Sequence, residues 1–491
     1  MPGHAPPRAT GNDDIPPHHR SPVDCAEPRS DEVLDRAGVV SFAVACVTPS
    51  TPPVGAATST STDAIETLRI ETVGIETEWF VVDCRAVERP VPPERTGRVL
   101  GGAVLPGGSR LTFEPGGQLE LSGPPAPLPQ ALAATAADLR FVRTALARDG
   151  LALVGMGTDP LRAGVCQTTA SRYVAMGEHF RAGGIPAGEA MMFSTASVQV
   201  NLDLGGTPAD AERRFRLAHT IGPVLTAMFA ASPALAGQAT GWRCTRQSIW
   251  AAIDASRTGA VVDVNLSADP PGDGALVDPR PRNDLAARWA RYLLAAPLMM
   301  TAVPGKPRAD DPAAREDHFD ATTTGHTFAD WLDGRGPVER APTLDDLRYH
   351  ATTLFPPVRP RGWWEIRYLD AQPGDGWLVA VAVTTALLTD PAAAAGALAA
   401  CEPVARHWPA ASMLAMADAS LQRAGAECLA LATDALRRAG SSDELLGAVE
   451  RFAQRYTLRG RCPADELSER LARLGPAGLL REEAQACVTV A

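Results

Sequence analysis

The segment GIETEWFVVD, residues 74–83, sets Glu76 and Glu78 two apart inside a run that otherwise reads as a β-strand. A strand's period of two sends Glu76, Glu78 and Phe80 to one face and Ile75, Thr77, Trp79 and Val81 to the other, so both acids look the same way. Three more segments share this character. In LTFEPGGQLELSG a Gly-rich turn interrupts a strand pattern, Glu120 faces with Gln118, and Glu114 lies just before the turn. In FSTASVQVNLDLG, Ala196, Val198, Val200 and Leu202 form one face while Ser197, Gln199, Asn201 and Asp203 form the other. In WWEIRYLD, Glu365 and Arg367 share a face. Any one of these strands, taken singly, could turn its polar face to solvent. If the four faces converge, at least four carboxylates crowd one cavity, and their repulsion and desolvation call for cations between them. An all-oxygen donor set without cysteine suits Mg²⁺ or Mn²⁺ rather than Zn²⁺.

The elements that must position these residues alternate along the chain. Residues 72–84 and 110–122 read as strands, 128–149 as an Ala-rich amphipathic helix ended by Gly150, and 151–160 as a strand and turn. Residues 208–229 read as helix, 247–257 as a short helix, and 259–285 as a Gly/Pro/Asp-rich loop. After Trp377 the chain is almost wholly helical, with breaks near Asp390-Pro391, Gly440, Gly460 and Gly475. Residues 1–62 are rich in Pro, Ser, Thr and Asp, a composition expected for a disordered extension, and its His4, His18 and His19 are given no role. This leaves 63–491 as an α+β catalytic body.

Composition excludes several classes of partner. The chain has 491 residues, 45% of them hydrophobic, enough for a large buried core. A formal net charge of -11 offers no basic field for nucleic acid or an anionic membrane. Lys306 is the single lysine, and a proline follows it, so no Walker phosphate loop exists and metals and arginines would hold any phosphate. The nine cysteines form no C-x-x-C pair, which fits reduced thiols in a cytoplasmic protein. No apolar run approaches the ~20 residues of a membrane span.

The motifs GIETE, FEPGGQLELSG, MMFSTASVQVNLDLG, WAAIDASRTG and TTLFPPVRPRGWWEIRYLD, in this order, resemble those of glutamate–cysteine ligases of the plant and actinobacterial type. The resemblance implies a curved antiparallel sheet, the funnel of glutamine-synthetase-like ligases, with helices packed outside and a helical C-terminal region. It also implies an ATP- and Mg²⁺-dependent reaction that joins the γ-carboxyl of L-glutamate to the amine of L-cysteine through γ-glutamyl phosphate and supplies ergothioneine synthesis. Another amine acceptor is the alternative within the same superfamily. Carried over by position, Glu76, Glu78, Glu114, Glu120 and Glu365 are implied metal ligands, and Glu76, Glu365 and Arg367 the catalytic set. Gln199 and Asn201 are implied substrate or metal neighbours, and Arg359, Arg361 and Arg367 candidates for phosphate or substrate carboxylates.

In WAAIDASRTG, helical spacing would put Trp250, Asp254 and Arg257 on one side, with Arg257 gripping a substrate carboxylate or else pairing with Asp254 at the surface. Arg172 and Tyr173 are candidates to close the mouth of the site, His350 for a simple hydrogen bond, and Met191 and Met192 for core. On this reading Glu76→Ala or Glu365→Ala abolishes ligation and leaves the fold intact.

Overall fold

A computed structural model describes residues 32–49, 71–261, 285–303 and 318–489. Its hub is the strand β1 (Val73–Asp83), whose Ile75, Trp79 and Val81 enter the main apolar core while Phe80 and Val82 enter a second cluster. The period of two therefore holds along the whole strand. Around β1 run β2 (Arg110–Phe113), β3 (Leu119–Ser122), β4 (Leu151–Val154), β5 (Ser197–Leu202), β6 (Val358–Pro360) and β7 (Trp364–Asp370). The sheet order is β6-β7-β5-β1-β3-β2, with β4 pairing the C-terminal part of β1, and these pairings are antiparallel.

Behind the sheet, the helices Leu128–Arg148 and Gly376–Thr389 pack against β1 and β5 and cover the face of Val198, Val200 and Leu202. The C-terminal helix Pro463–Thr489, kinked at Gly475 ahead of Pro476, brings Leu467, Leu471 and Leu480 onto Phe80, Val82 and Val154. That helix closes the far half of the face that carries Glu76 and Glu78. The α+β architecture with late helices is as the sequence implies. Among the described residues no single helix is long and apolar enough to cross a membrane.

Several boundaries differ from expectation. Residues 110–122 are a hairpin rather than one strand: the turn puts Gly117 at φ +85, and a Cβ on Gly116 would overlap the backbone of Phe193. The helical stretch 208–229 is two helices, Pro208–Thr220 and Gly222–Met228, and 247–257 is two short ones, Thr245–Ala251 and Ala255–Thr258. Lys306, His4, His18, His19 and most of the 259–285 loop lie outside the described residues.

The largest correction concerns the N-terminal extension. Within 1–62, expected to be disordered throughout, Arg36–Val47 forms an α-helix capped by the Asp35 side chain on Gly38 N–H. Val39, Phe42, Ala43, Cys46 and Val47 are buried in the main core, against the helix Leu285–Ala295. The carbonyl of Cys46 accepts from Gly362 N–H at 2.8 Å, so this helix braces the turn between β6 and β7. We expect Phe42→Ala to cost about 3–5 kcal/mol, the usual penalty for emptying a buried aromatic site, measurable by urea unfolding. An unchanged midpoint would mean that the helix does not belong to the folded core.

Candidate active site

Antiparallel register decides which side chains meet, because directly opposed residues point to the same face. Glu78 lies opposite Glu120, Glu76 opposite Gln199, Glu365 opposite Asn201, and Arg359 opposite Glu365. The acids of three strands, β1, β3 and β7, therefore do share one face with the polar residues of β5. Ligand oxygens of Glu78, Glu114 and Glu120 all lie within 4.8 Å of one another. Glu114 reaches this group from the hairpin turn, where its backbone N–H donates to the Gln118 carbonyl.

The neighbouring strands fix each acid. Glu78 accepts from Ser197 N–H and Ser197 Oγ, both at 2.8 Å, and from Gln199 Nε2 at 2.9 Å. Glu120 accepts from Ser122 Oγ at 2.6 Å and Thr112 Oγ1 at 3.0 Å, and Glu76 from Asn201 Nδ2 at 2.9 Å. Burial pushes the Glu76 carboxyl up to about 8, with the charges of Glu120 and Glu365 adding to the rise. Glu78 is raised by burial and then by Glu120, and Glu114 is raised well above the usual range by burial, Glu120 and Glu78.

Three carboxyl groups with raised values have a definite consequence for stability. A folded pKa above the unfolded one means that the folded state holds more protons between the two values, so stability falls as pH rises through that window. We expect the melting temperature of the metal-free protein to drop from about pH 5 to pH 8, the window set by the ordinary carboxylate value and by Glu76. Saturating Mg²⁺ should flatten that slope. A slope that is flat in chelator would contradict the mutual crowding of the acids.

Glu365 has a different environment from the other four acids. It is 1% exposed and is caged by Arg359 at 2.5 and 3.0 Å, Arg367 at 3.0 Å and Arg361 at 3.1 Å. Burial acts to raise its carboxyl, yet the three guanidiniums, Arg359 foremost, hold it well below the usual carboxylate range. As placed, Glu365 is an arginine counter-ion rather than a fourth member of the tight acid group. Its removal would leave buried cations unpaired, so the expectation that Glu365→Ala spares the fold is corrected. Glu76 also lies outside the three-acid group, between Glu120, Glu365 and Arg361.

The arginines divide similarly. Arg359 spends Nε and Nη2 on Glu365 and Nη1 on the Leu354 carbonyl, whereas Arg367 Nη1 also donates to Gln199 Oε1 at 2.8 Å. Arg257, expected to grip substrate, is fully buried, with its Nη1 on the Thr353 carbonyl and hydroxyl and its Nη2 on the Pro297 carbonyl. The helix assumed to align Trp250, Asp254 and Arg257 breaks after Ala251, where Asp254 caps the next turn through Ser256 N–H. Arg257 is thus directed into the protein, and its substrate role is withdrawn on that geometry.

Arg172 lies over the Tyr173 ring, and the Glu114 charge is the first cause raising the Tyr173 hydroxyl, which places this pair beside the acids. His350 Nε2 sits 2.9 Å from the Leu293 carbonyl, and Met191 and Met192 are core. Sequence reasoning passed over Arg246, a buried neighbour of Glu78 and Arg367; its spacing of four from Trp250 was the available signal.

An antiparallel sheet that reserves one face for buried acids and arginines defines an enzyme that handles charged substrates. The glutamate–cysteine ligase family 2 (GCS2) model matches residues 72–488, and the chain belongs to that family. Glutamate–cysteine ligase EgtA of Mycolicibacterium smegmatis is 42% identical over 419 residues, 84% of this chain and 90% of that protein. EgtA of Mycobacterium tuberculosis H37Rv is 43% identical over 404 residues, 81% of this chain and 86% of that protein. The chloroplastic glutamate–cysteine ligase of Medicago truncatula is 32% identical over 272 residues, 54% of this chain and 48% of that protein.

Proposed function

We propose that this enzyme joins L-glutamate to L-cysteine, the two substrates after which its relatives are named, with ATP as phosphoryl donor. The observation that carries the reading is the meeting of Glu78, Glu114 and Glu120 within 4.8 Å on the face that also holds the Glu365–arginine cage. Three crowded carboxylates, two of them (Glu78 and Glu114) raised by burial and by the Glu120 charge, and no cysteine among them, fit a hard divalent cation. Glu78, Glu114 and Glu120 would hold Mg²⁺ or Mn²⁺, which would supply positive charge to offset the charge that builds during phosphoryl transfer.

The residues of the chain have separate tasks. Gln199 and Asn201 orient Glu78 and Glu76, and we assign them as positioning residues. Arg361 and Arg367, more exposed than Arg359, present guanidiniums at the rim of the cage, where a phosphate would be received. An oxygen of the glutamate γ-carboxylate forms a bond to the γ-phosphorus as ADP leaves. The cysteine amine then forms the C–N bond, phosphate departs from the acyl carbon, and the amine loses a proton. No protein thiol is needed: Cys244 is buried, and Cys166 is exposed with its Sγ toward the Thr168 carbonyl.

An ADP-release assay that offers glutamate with cysteine, alanine or other amines tests the reading. Turnover that is the same without cysteine would sink it, and preference for another amine would place the chain elsewhere in the superfamily. The product, γ-glutamylcysteine, would enter ergothioneine synthesis in the cytoplasm.

A further inference from the structure

Of the three crowded acids, Glu78 and Glu120 stand within strands, and neighbouring side chains donate to their carboxylates. Glu114 instead falls between β2 and β3, so its place depends on the turn 114–118. That turn closes on two backbone bonds of 2.8 Å, Glu114 N–H to the Gln118 carbonyl and Gly117 N–H to the Glu114 carbonyl. Its middle residues, Gly116 and Gly117, have no Cβ to restrict them. A cavity of about 360 Å³, walled by Phe80, Val91 and Arg162, adjoins Gly116, Gly117 and Gln118. Packing alone does not hold the turn.

Gln167 supplies the missing restraint. Its N–H donates to the Pro115 carbonyl at 2.7 Å and its Nε2 to the Gly116 carbonyl at 2.6 Å. A Cβ on Gly117 would collide with the Gln167 amide, so the two are in close contact. The segment that presents Gln167 is itself anchored: Asp159 accepts from the N–H groups of Leu161 and Arg162 and from Arg162 Nε, and Arg162 Nη1 donates to the Val81 carbonyl. Further along, a Cβ on Gly164 would overlap the Ser194 side chain. One residue of an anchored segment therefore holds two successive carbonyls of the turn that carries Glu114.

Resting on the cation reading above, we propose that Gln167 is a positioning residue for the metal site, which clamps the turn so that Glu114 can share a divalent cation with Glu78 and Glu120. A ligand already in place spends no binding free energy on being ordered, and groups behind a ligand set metal affinity for this reason.

The test compares wild type with Gln167→Met, which keeps the length and removes the donor, and Gln167→Asn, whose amide is one methylene short of the Gly116 carbonyl. Both keep the backbone bond to Pro115. Metal-free protein is titrated with Mn²⁺ by calorimetry, where lost folded protein lowers the stoichiometry and a displaced ligand raises the dissociation constant. We expect that constant to rise by about 10-fold in both variants, the lower end of what losing a group behind a metal ligand costs. The KM for L-glutamate at saturating Mn²⁺ should stay within about twofold of wild type, and excess Mn²⁺ should restore kcat, a rescue that a merely structural defect would not show. Wild-type Mn²⁺ affinity in both variants, or a loss of kcat that persists at saturating Mn²⁺, would overturn the proposal. Wild-type protein that binds no Mn²⁺ at millimolar concentration would sink the cation reading itself, and the proposal with it.

Discussion

Glu114→Gln is expected to lower kcat by about 10²–10³-fold at saturating Mg²⁺ while raising the melting temperature of the metal-free protein at pH 8. The two effects have one cause. Glu114 lies within 4.8 Å of Glu78 and Glu120, and those charges, after burial itself, lift its carboxyl well above the ordinary range. Making it neutral removes repulsion that the metal-free fold must bear and also removes an oxygen with the charge that a cation requires. Its position on the hairpin turn, rather than in the hydrogen-bonded rows, keeps the structural loss small. Glu78→Gln should behave differently. Its carboxylate accepts three hydrogen bonds from Ser197 and Gln199, and an amide nitrogen there would face donors, so stability and activity should both fall. Thermal melts in chelator separate the two variants. Loss of stability in Glu114→Gln would show that this acid is structural and not one of a crowded group.

This contrast also marks what a sequence can convey. Alternation along one strand shows that Glu76 and Glu78 share a face, because that depends only on local backbone geometry. Which acids then meet depends on register between strands far apart in the chain, as with Glu78 opposite Glu120 and Glu365 opposite Asn201, and periodicity carries no information about that pairing. The direction of Arg257 turns on a smaller event, the helix break before Asp254, which rotates it away from the side that continuous spacing implies. For Arg36–Val47 the surrounding Pro- and Ser-rich composition masked a helix whose partners, the helix Leu285–Ala295 and Gly362, lie hundreds of residues away. Charge balance was the least legible. The same strand pattern that sets Glu365 and Arg367 on one face gives no sign that Arg359 and Arg361 close around the same carboxylate.

That cage leads to the second large effect. Glu365→Ala is expected to cost about 3–5 kcal/mol of stability and to abolish ligation, because it strands buried guanidiniums without a counter-ion. Arg359, with an exposure of 8%, is the most damaging to strand, since two of its nitrogens serve only Glu365. Pairing Glu365→Leu with Arg359→Met removes both members of the closest contact and fills their space with apolar atoms, so it should recover much of the lost stability. Arg367 keeps its bond to Gln199 in that variant, which limits the remaining deficit. Activity should not return, because the anion that pairs with Arg361 and Arg367, which we propose receive phosphate, is gone. Denaturant midpoints and ADP release measured on the single and double variants separate the two roles. A double variant that is stable yet inactive places Glu365 in the reaction's electrostatics as well as in the fold. Recovery of both would reduce the cage to scaffolding, and a Glu365→Ala protein as stable as wild type would mean that the arginines find other partners.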